Sequence, residues 1–292
     1  MSAPIPIIDL FAGPGGLGEG FASLKDDRGQ PAFRIGLSIE MESSAHNTLT
    51  LRAVFRQLRE TAAMRAYYDY VRGRVTLNEF RSIPAVAAAF ERAHVEARRY
   101  ELGETDQRLI DAEIRAALGG EQSWVLIGGP PCQAYSLAGR SRRANDKTFG
   151  EDKKHFLYRE YLRIINVHRP AIFVMENVKG LLSSQHSGAG MFPKIMKDLS
   201  RPSKGLEYEI RSFVNQDAGF GLTPGNYVVE AERFGVPQTR HRVILLGVRR
   251  NCDFGPHDLL VPVPEPITVR SLLDECVDRR WQATYADTTY QP

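Results

Sequence analysis

Three short segments of the chain hold side chains that can act as a nucleophile, a proton donor and binders of negative charge. Cys132 follows GGPP, Glu176 begins ENV, and Arg240 and Arg242 lie in QTRHR. A thiolate is a strong nucleophile, a carboxyl can hold or supply a proton, and guanidinium groups bind anions or carbonyl oxygens. Together these residue types indicate covalent catalysis, although a cysteine in a loop, taken alone, is more often a small buried residue.

A strand is predicted next to each of these segments. The apolar run 125–127 is followed by GGPP, the run 171–175 precedes Glu176, and the run 243–248 follows Arg242. Proline cannot donate to a strand ladder, so the first run must stop there. In open α/β sheets, ligands bind outside the carboxyl ends of the strands. We therefore expect the thiol and the carboxyl to face one crevice.

A glycine-rich turn near the N-terminus indicates a cofactor site. The isoleucine-rich strand Ile5–Leu10 leads into FAGPGG and a predicted helix at 19–24, and a second strand, Phe33–Ile39, ends at Glu40. Glycines let the backbone approach a ligand closely, and a helix N-terminus offers unpaired N–H groups. An acidic residue after the second strand binds the ribose in doubly wound nucleotide sites. On these residues alone, a turn shaped only for geometry and a Glu40 without a ligand remain alternatives.

The order of elements predicts an α/β fold, a doubly wound sheet with a helical insertion. The insertion is inferred from a stretch rich in Ala, Arg and Glu, with apolar residues spaced by about 3.6. The predicted units are the first part of a cofactor-binding domain at 1–51, the helical insertion at 52–118, the rest of the domain at 119–276 and a linker at 277–292.

Three other stretches carry expectations about structure or binding. A third strand is placed at 100–102, and the proline-rich segment after residue 256 indicates an extended linker before a short helix at 267–276. The loop 139–154 has an excess of basic side chains. These would suit a phosphate backbone, although a solvated surface loop is the alternative.

The composition is that of an ordinary globular protein, with 292 residues, 42% hydrophobic and 25% charged. A net charge of +3 permits a nucleic-acid partner without indicating one, so that inference depends on local clusters. Three cysteines without CxxC spacing predict a reducing compartment and no structural metal. The N-terminus lacks a leader pattern and no run has the length of a membrane span, so we expect a cytoplasmic protein.

Four motifs resemble those of the cytosine-5 DNA methyltransferases and occur in the order of that family. They are FAGPGG at 11–16, GPPCQAYS at 129–136, ENV at 176–178 and QTRHR at 238–242. Any one could arise for packing reasons, but four in order, each at a strand end, are specific. The resemblance covers residues 5–276. It implies a class I methyltransferase fold, Rossmann-like, with S-adenosylmethionine as cofactor and S-adenosylhomocysteine as product.

The resemblance also implies a catalytic role for individual residues. Cys132 matches the nucleophile that adds to carbon 6 of cytosine and so creates an enamine that attacks the methyl group. Glu176 matches the group that protonates or hydrogen-bonds ring nitrogen 3. Arg242, with Arg240 nearby, matches the donor to the carbonyl oxygen at position 2. A base must then remove the proton from carbon 5, and the sequence does not identify it.

Contacts to the cofactor and to double-stranded DNA follow from the same resemblance. Phe11 matches the ring that stacks on the adenine, Glu40 the ribose ligand and Met41 the apolar cover on the other face of the base. Because the target base lies inside a duplex it must be flipped out, and the loop 134–143 matches the segment that closes over it. The implied cofactor-binding residues are Asp9, Phe11, Ala12, Gly13, Gly15, Gly16, Glu40, Met41 and Pro130, and the implied DNA-binding residues are Gln133, Ser136, Arg140, Arg142, Arg143 and Gln238.

The chain departs from the family pattern in two places. The acidic residue that binds the adenine amino group is not evident, and Glu104 and Asp106 are the candidates. Nothing after Arg280 can supply the target-recognition region and the final helix of the family. The sequence therefore predicts either a truncated chain or a second chain that supplies recognition.

Two other functions remain compatible with the motifs. A tRNA cytosine-5 methyltransferase would carry the same residues, and the recognition region that would separate the two is missing. A non-catalytic binding subunit could keep the fold, although the retained Cys132, Glu176 and arginine pair argue against lost catalysis. The expectation is a DNA methyltransferase from a bacterial restriction-modification system or an orphan methylase.

Overall fold

The fold is described by a computed structural model that covers residues 3–131, 151–186, 189–216, 221–252 and 254–270. Side chains are described for these residues except 151–156, 185, 186 and 189. Within this part of the chain, eight strands form one sheet and two more form a separate small sheet. The strands are β1 Ile5–Leu10, β2 Phe33–Ile39, β3 Ala97–Arg98, β4 Val125–Gly128, β5 Ile172–Val178, β6 Gln185–His186, β7 Ala189–Gly190, β8 Tyr208–Arg211, β9 Val228–Glu230 and β10 His241–Arg249.

The strand order of the main sheet is β3-β2-β1-β4-β5-β10-β8, with β9 also paired to β10. β1 is parallel to β2 and β4, and β4 is parallel to β5, whereas β10 is antiparallel to β5. The chain runs outward from β1 to β2 and β3 and then returns to β4 on the other side of β1. The carboxyl ends of β1 and β4 therefore flank the point where the strand order reverses, which is where doubly wound sheets bind ligands.

Helices cover both faces of this sheet. On one face, Ile7 of β1 belongs to the apolar cluster that includes Leu17, and on the other face, Ile8 belongs to the cluster that includes Ile114. Burial of both faces explains why the central strands read as unbroken apolar runs. The helices described are α1 Gly16–Ala22, α2 Ser43–Gln57, α3 Thr61–Val71, α4 Leu77–Arg81, α5 Pro84–Glu96, α6 Gln107–Leu118, α7 Glu151–His168 and α8 Met191–Ser200, with 3₁₀ turns at Lys179–Ser183, Pro224–Tyr227 and Ala231–Phe234.

A second, smaller core lies outside the sheet. The end of α2 packs with α3, α4 and α5 around Phe80 and Phe90. A capping box between Thr76 and Glu79 begins α4, and Pro84 occupies the first turn of α5. Both signals satisfy or remove backbone donors that have no partner at a helix start. The helical insertion therefore has its own apolar interior.

Two elements inside the predicted insertion 52–118 belong to the sheet layers. β3 pairs with the end of β2, and α6 contributes Ile110 and Leu118 to the sheet core. The third strand, predicted at 100–102, lies instead at Ala97–Arg98, and a strand of 2 residues is too short to show alternation. The helices around the second core are thus α3 to α5 with the end of α2, and the domain boundaries stay predictions.

Some element ends differ from the predicted ones. β5 continues past residue 175 to Val178, because its ladder with β10 extends to the pair of Val178 with Arg242. α1 begins at Gly16, not at residue 19. The sequence-based prediction also lacks α8, whose apolar face buries Phe192 and Ile195.

The proline-rich segment after residue 256 is bound to the domain, which corrects the expectation of a linker there. Leu260 N donates to Phe213 O at 2.8 Å, and Val263 N donates to Arg233 O at 2.8 Å. The helix expected at 267–276 falls largely outside the described residues. None of the helices in the described ranges combines the length and apolar composition needed to cross a membrane.

Candidate active site

Backbone hydrogen bonds tie the turn after β1 to the end of β2. Ala12 N donates to Ile39 O at 3.0 Å, and Gly13 N donates to Glu40 Oε2 at 2.8 Å. Phe11 has a φ of 57°, in a region that residues with a side chain rarely occupy. Such backbone strain clusters at ligand-binding sites, where the surrounding structure holds it. The turn therefore carries the Phe11 ring on a fixed backbone.

Glu40 braces this turn in addition to facing a cavity. Its Oε1 accepts from Glu42 N at 2.7 Å, while Oε2 accepts from Gly13 N at 2.8 Å. A carboxylate oxygen has a second lone pair, so both oxygens can still accept a hydrogen bond from a ligand. The sequence predicted the ligand contact but not the bracing of the glycine turn.

Two adjoining cavities open beside the carboxyl ends of β1 and β4. Phe11 and Gly129 line both of them. The first cavity, of about 520 Å³, is lined by Asp9, Phe11, Ala12, Pro14, Gly16, Leu17, Gly129, Glu176, Val229, Ala231, Arg240, Arg242 and Ile244. The second cavity, of about 320 Å³, is lined by Phe11, Ile39, Glu40, Met41, Glu42, Tyr100, Leu102, Gly129, Pro131 and Leu157.

Glu176 and the two arginines of QTRHR meet in the first cavity. Arg242 Nε lies 2.8 Å from Glu176 Oε1, and Arg240 Nη2 lies 3.9 Å from the same oxygen. A Cβ atom on Gly129 would lie 3.0 Å from Glu176 Oε2, so the absence of a side chain permits this close approach. The arrangement places a carboxyl group beside two guanidinium groups that can bind a carbonyl oxygen.

Asn177 connects this cluster to the proline turn, a contact that the sequence analysis missed. Its Nδ2 donates to Pro130 O at 3.1 Å, and its Oδ1 accepts from Val178 N at 2.9 Å. The side chain is buried, with 6% of its surface exposed. Buried amides are normally satisfied in this way, so the only available signal was the identity of the residue beside Glu176. Asn177 thereby holds the turn that leads directly to Cys132.

Asp9 lies in the wall of the first cavity and is fully buried. Among the described residues, neither of its carboxyl oxygens has a hydrogen-bond partner. The pKa of Asp9 is raised to about 8, chiefly by burial; Arg56 acts in the opposite direction, and Glu40 adds a smaller increase. The carboxyl is therefore mostly protonated at neutral pH.

The other predicted cofactor residues differ in how they contribute. Met41 has 51% of its surface exposed and lines the second cavity, while Ala12 and Gly16 line the first. Gly13 and Gly15 shape the turn but line neither cavity.

At the proline turn, the two residues that flank Pro130 line the cavities, and Pro130 itself does not. Pro130 is buried and lines neither cavity. Gly129 lines both cavities, and Pro131 lines the second. The structure thus assigns the wall of the second cavity to Pro131 and leaves to Pro130 the contact with Asn177.

The two acidic candidates before α6 do not reach the cavities. Asp106 caps α6 by accepting from Arg108 N at 2.9 Å, and Glu104 lines neither cavity. From this part of the chain, Tyr100 and Leu102 line the second cavity.

The predicted DNA-binding residues are only partly described. Gln238 is exposed and lines neither cavity. Within the described ranges, no cluster of His, Cys, Asp and Glu suited to a metal ion was found, and the expectation of a metal-free protein stays a prediction. The predicted residues that lie outside the described part of the chain are Cys132, Gln133, Ser136, Arg140, Arg142 and Arg143.

The cavity walls include apolar residues that sequence reasoning did not assign to the site. Val229 and Ala231 reach the first cavity because β9 pairs with the beginning of β10. Leu157 of α7 reaches the second cavity. Apolar residues at these positions have no pattern that distinguishes a cavity wall from a core.

The fold and the two cavities at its strand ends define the class of protein. A candidate DNA modification methyltransferase encoded within an Escherichia coli prophage has a solved structure with a TM-score of 0.55 to this chain. The match covers 92% of this chain and 54% of that chain at 20% sequence identity. This likeness shows the fold, which is the α/β fold of the class I methyltransferases.

The family follows from the sequence match. The family model of C-5 cytosine-specific DNA methylases matches residues 88–286, and the chain belongs to that family. Type II methyltransferase M.Bpa9945I of Bacillus paralicheniformis is 29% identical over 267 residues, covering 85% of this chain and 54% of that protein. A DNA-cytosine methyltransferase of Escherichia coli is 30% identical over 285 residues, covering 95% of this chain and 50% of that protein. The chain thus spans about half the length of these relatives.

Proposed function

We propose that this chain transfers a methyl group from S-adenosylmethionine to carbon 5 of a flipped-out cytosine in DNA through a covalent adduct with Cys132. One observation carries the proposal. The cavity that holds Glu176, Arg240 and Arg242 shares Phe11 and Gly129 with the cavity that holds Glu40. A base and a nucleoside cofactor could therefore lie side by side in the two cavities.

The residues present fit the cofactor. The second cavity offers Phe11, Met41 and Leu102 as apolar surface for an adenine and Glu40 as an acceptor for ribose hydroxyls. The first cavity contains the buried carboxyl of Asp9, which has no partner in the described chain and suits a positively charged group. When bound, S-adenosylmethionine supplies an electrophilic methyl group.

The side chains of this protein would then activate the cytosine. The Cys132 thiolate forms a bond to carbon 6, and the displaced π electrons make carbon 5 nucleophilic. Glu176 supplies a proton or hydrogen bond at ring nitrogen 3, and Arg242 donates to the carbonyl oxygen at position 2. Once carbon 5 carries the methyl group, a base removes its proton and the carbon–sulfur bond breaks.

The biological setting is part of the proposal. We infer a bacterial restriction-modification or orphan methylase acting on double-stranded DNA in the cytoplasm, supported by the type II names of relatives such as M.Bpa9945I. Sequence recognition is proposed to require residues beyond this chain or a second chain, since relatives are about twice as long as the matched segment.

A covalent trap tests the function. The 292-residue chain is incubated with S-adenosylmethionine and duplex DNA containing 5-fluorocytosine, whose fluorine cannot leave as a proton. We expect an adduct on Cys132 that survives a denaturing gel, and none with Cys132→Ala. Cys252→Ala is the matched control, because it removes a thiol outside both cavities and should leave the adduct unchanged.

Parallel reactions separate the alternatives. An adduct formed with a fluorinated tRNA alone would contradict the DNA proposal in favour of a tRNA methyltransferase. Normal cofactor binding without an adduct on mixed-sequence DNA would leave either a binding subunit or a missing recognition component. Addition of a recognition component that restores the adduct would then exclude the binding subunit.

A further inference from the structure

Asp9 is a carboxyl group that the fold buries without providing a partner. It is the second-last residue of β1, has 0% of its surface exposed and lines the first cavity. Neither Oδ1 nor Oδ2 has a hydrogen-bond partner in the described part of the chain. Burying a polar group without a hydrogen bond is costly, and burying an unpaired charge costs far more. Such a group therefore stays neutral until a cation arrives beside it.

Helix α1 packs closely against the Asp9 carboxyl. A Cβ atom on Gly18 would lie 2.9 Å from Asp9 Oδ2, so α1 covers the carboxyl through a residue that has no side chain. Any other residue at this position would push the carboxyl away from its present place. Asp9 also lines the first cavity, so a ligand in that cavity would lie beside the carboxyl group.

The charged and titratable groups around Asp9 do not neutralise it. Arg56 of α2 acts on Asp9 through space, but its guanidinium is paired with Glu19 and Glu96. Glu40 acts on Asp9 in the opposite sense, and Tyr161 of α7 also interacts with it electrostatically. The other charged groups that line the first cavity are Glu176, Arg240 and Arg242, and both arginines pair with Glu176.

We propose that Asp9 carries a proton in the cofactor-free protein and releases it when the positively charged end of S-adenosylmethionine enters the first cavity. The inference rests on the proposed function, because it assumes that this cofactor binds here. A cation close to a carboxyl in a water-poor site favours the ionised form strongly. The proton leaves to solvent, and the carboxylate and the cation remain as a buried pair.

The direction of the pH effect follows from this exchange. Burial raises the pKa of Asp9 to about 8 in the free protein, and the bound cation would lower it. Below about pH 8, binding must expel a proton, so affinity rises with pH by up to about tenfold per unit and then levels off. Without the proton exchange, affinity in this range would follow only the titration of the ligand.

Calorimetry measures the released proton directly. The full chain is titrated with S-adenosylmethionine at about pH 6.5, where an α-amino group of the ligand keeps its own proton, in two buffers that differ in ionisation enthalpy. We expect roughly 0.5–1 proton released per cofactor bound. Asp9→Asn should bind without this release, because Asn cannot ionise. Asp27→Asn, which removes an exposed carboxyl, should release as much as the unmodified protein.

Two further measurements keep the inference falsifiable. If Asp9→Asn fails to fold, the dissociation constant of the unmodified chain is measured from about pH 6 to 9. Affinity for S-adenosylmethionine must still rise with pH and stop rising near pH 8. S-adenosylhomocysteine keeps the ammonium but lacks the sulfonium charge, so retained release identifies the ammonium as the partner of Asp9 and lost release identifies the sulfonium.

The results that would contradict proton release by Asp9 differ from those that would contradict the proposed function. Binding heats that are independent of the buffer, or an Asp9→Asn variant that releases the same proton, would overturn the inference and leave the proposed function intact. No binding of S-adenosylmethionine under any condition would overturn both.

Discussion

The polar residues of the cleft differ in how the fold satisfies them. Glu176 lies against Arg242 at 2.8 Å, and Asn177 donates to Pro130 O at 3.1 Å. Asp9, by contrast, has no hydrogen-bond partner in the described residues. A satisfied buried amide fixes the backbone around it, whereas an unsatisfied carboxyl is a place where a ligand can gain binding energy. Glu176 and Asn177 therefore stabilise the site itself, whereas Asp9 is available to a ligand.

Replacing Asn177 should weaken both the fold and the covalent step. Asn177→Ala leaves the Pro130 carbonyl buried without its donor, at a cost of about 1–3 kcal/mol in the free energy of unfolding. It should also slow formation of the 5-fluorocytosine adduct, because Cys132 follows this turn directly. Urea denaturation and the rate of adduct formation measure the two effects.

Two variants sharpen the Asn177 test. Asn177→Asp keeps the shape and an acceptor for Val178 N but loses the donor, so it should slow the adduct as Ala does. Ser183→Ala removes an exposed side-chain hydrogen bond at 3.3 Å and should change neither readout. An Asn177→Ala variant with reduced stability and a normal rate of adduct formation would show that the contact is structural only.

At the scale of elements, a charged cluster joins the helical insertion to the glycine turn. Arg56 near the end of α2 pairs with Glu19 of α1 and with Glu96 of α5. Glu96 is mostly buried, and burial raises its pKa although Arg56 opposes this. α1 follows the glycine turn, so the insertion supports the helix that covers Asp9.

Arg56→Met should destabilise the chain and disturb this support. It leaves Glu96 buried without its cation, and we expect a loss of about 2–3 kcal/mol, less than for a fully buried pair because the cluster is partly exposed. Adding Glu96→Gln to Arg56→Met should recover part of this loss. Arg74→Met, which breaks an exposed pair with Asp69, should cost less than about 1 kcal/mol. Denaturation curves of the three variants and the unmodified chain provide the comparison, and equal losses for both arginines would contradict the role of the cluster.

At the scale of the whole molecule, the sheet has an apolar core on each face and the insertion has a separate one. All three are built from residues that match core patterns, yet the sheet also buries the unpaired Asp9. Local features that contradict stability are expected at functional sites, where the rest of the fold compensates for them. The pH dependence of the free energy of unfolding of the entire chain should therefore reflect the titration of Asp9.

The free energy of unfolding should fall with rising pH in a way that depends on Asp9. Because the pKa of Asp9 is about 8 in the folded chain and 3.8 is its ordinary value, the folded protein keeps a proton that the unfolded chain loses between these limits. The stabilisation that the folded chain gains from this bound proton is complete below about pH 4 and is lost by about pH 8. As the pH rises from about 5.5 to 7.5, the free energy of unfolding of the unmodified chain should fall by roughly 3 kcal/mol relative to that of Asp9→Asn.

Cofactor-free denaturation across this pH range tests the effect. Asp27→Asn, at an exposed position, should run parallel to the unmodified chain. Parallel curves for Asp9→Asn as well would mean that the carboxyl is ionised in the fold.

Local sequence information was sufficient where a short segment decides its own structure. β1 and β2 have the predicted limits, Ile5–Leu10 and Phe33–Ile39, because strands buried on both faces read as apolar runs ended by polar or glycine residues. The motifs at strand ends also identified the family, since their residue types serve one chemistry and stand in one order. The α/β class follows from this order of elements.

Contacts between distant segments were decided only in the tertiary structure. The meeting of Glu176 with Arg242 depends on the antiparallel register of β5 and β10, and a shift of register would separate them. The short strand Ala97–Arg98 forms because β2 offers an edge, not because of its own pattern. The burial of Asp9 depends on α1 packing across β1 at Gly18, and burial is what changes the charge of a carboxyl. The sequence by itself determined which chemical groups stand at the strand ends, whereas packing determined which of them are paired, because pairing depends on distances between residues that are far apart in the chain.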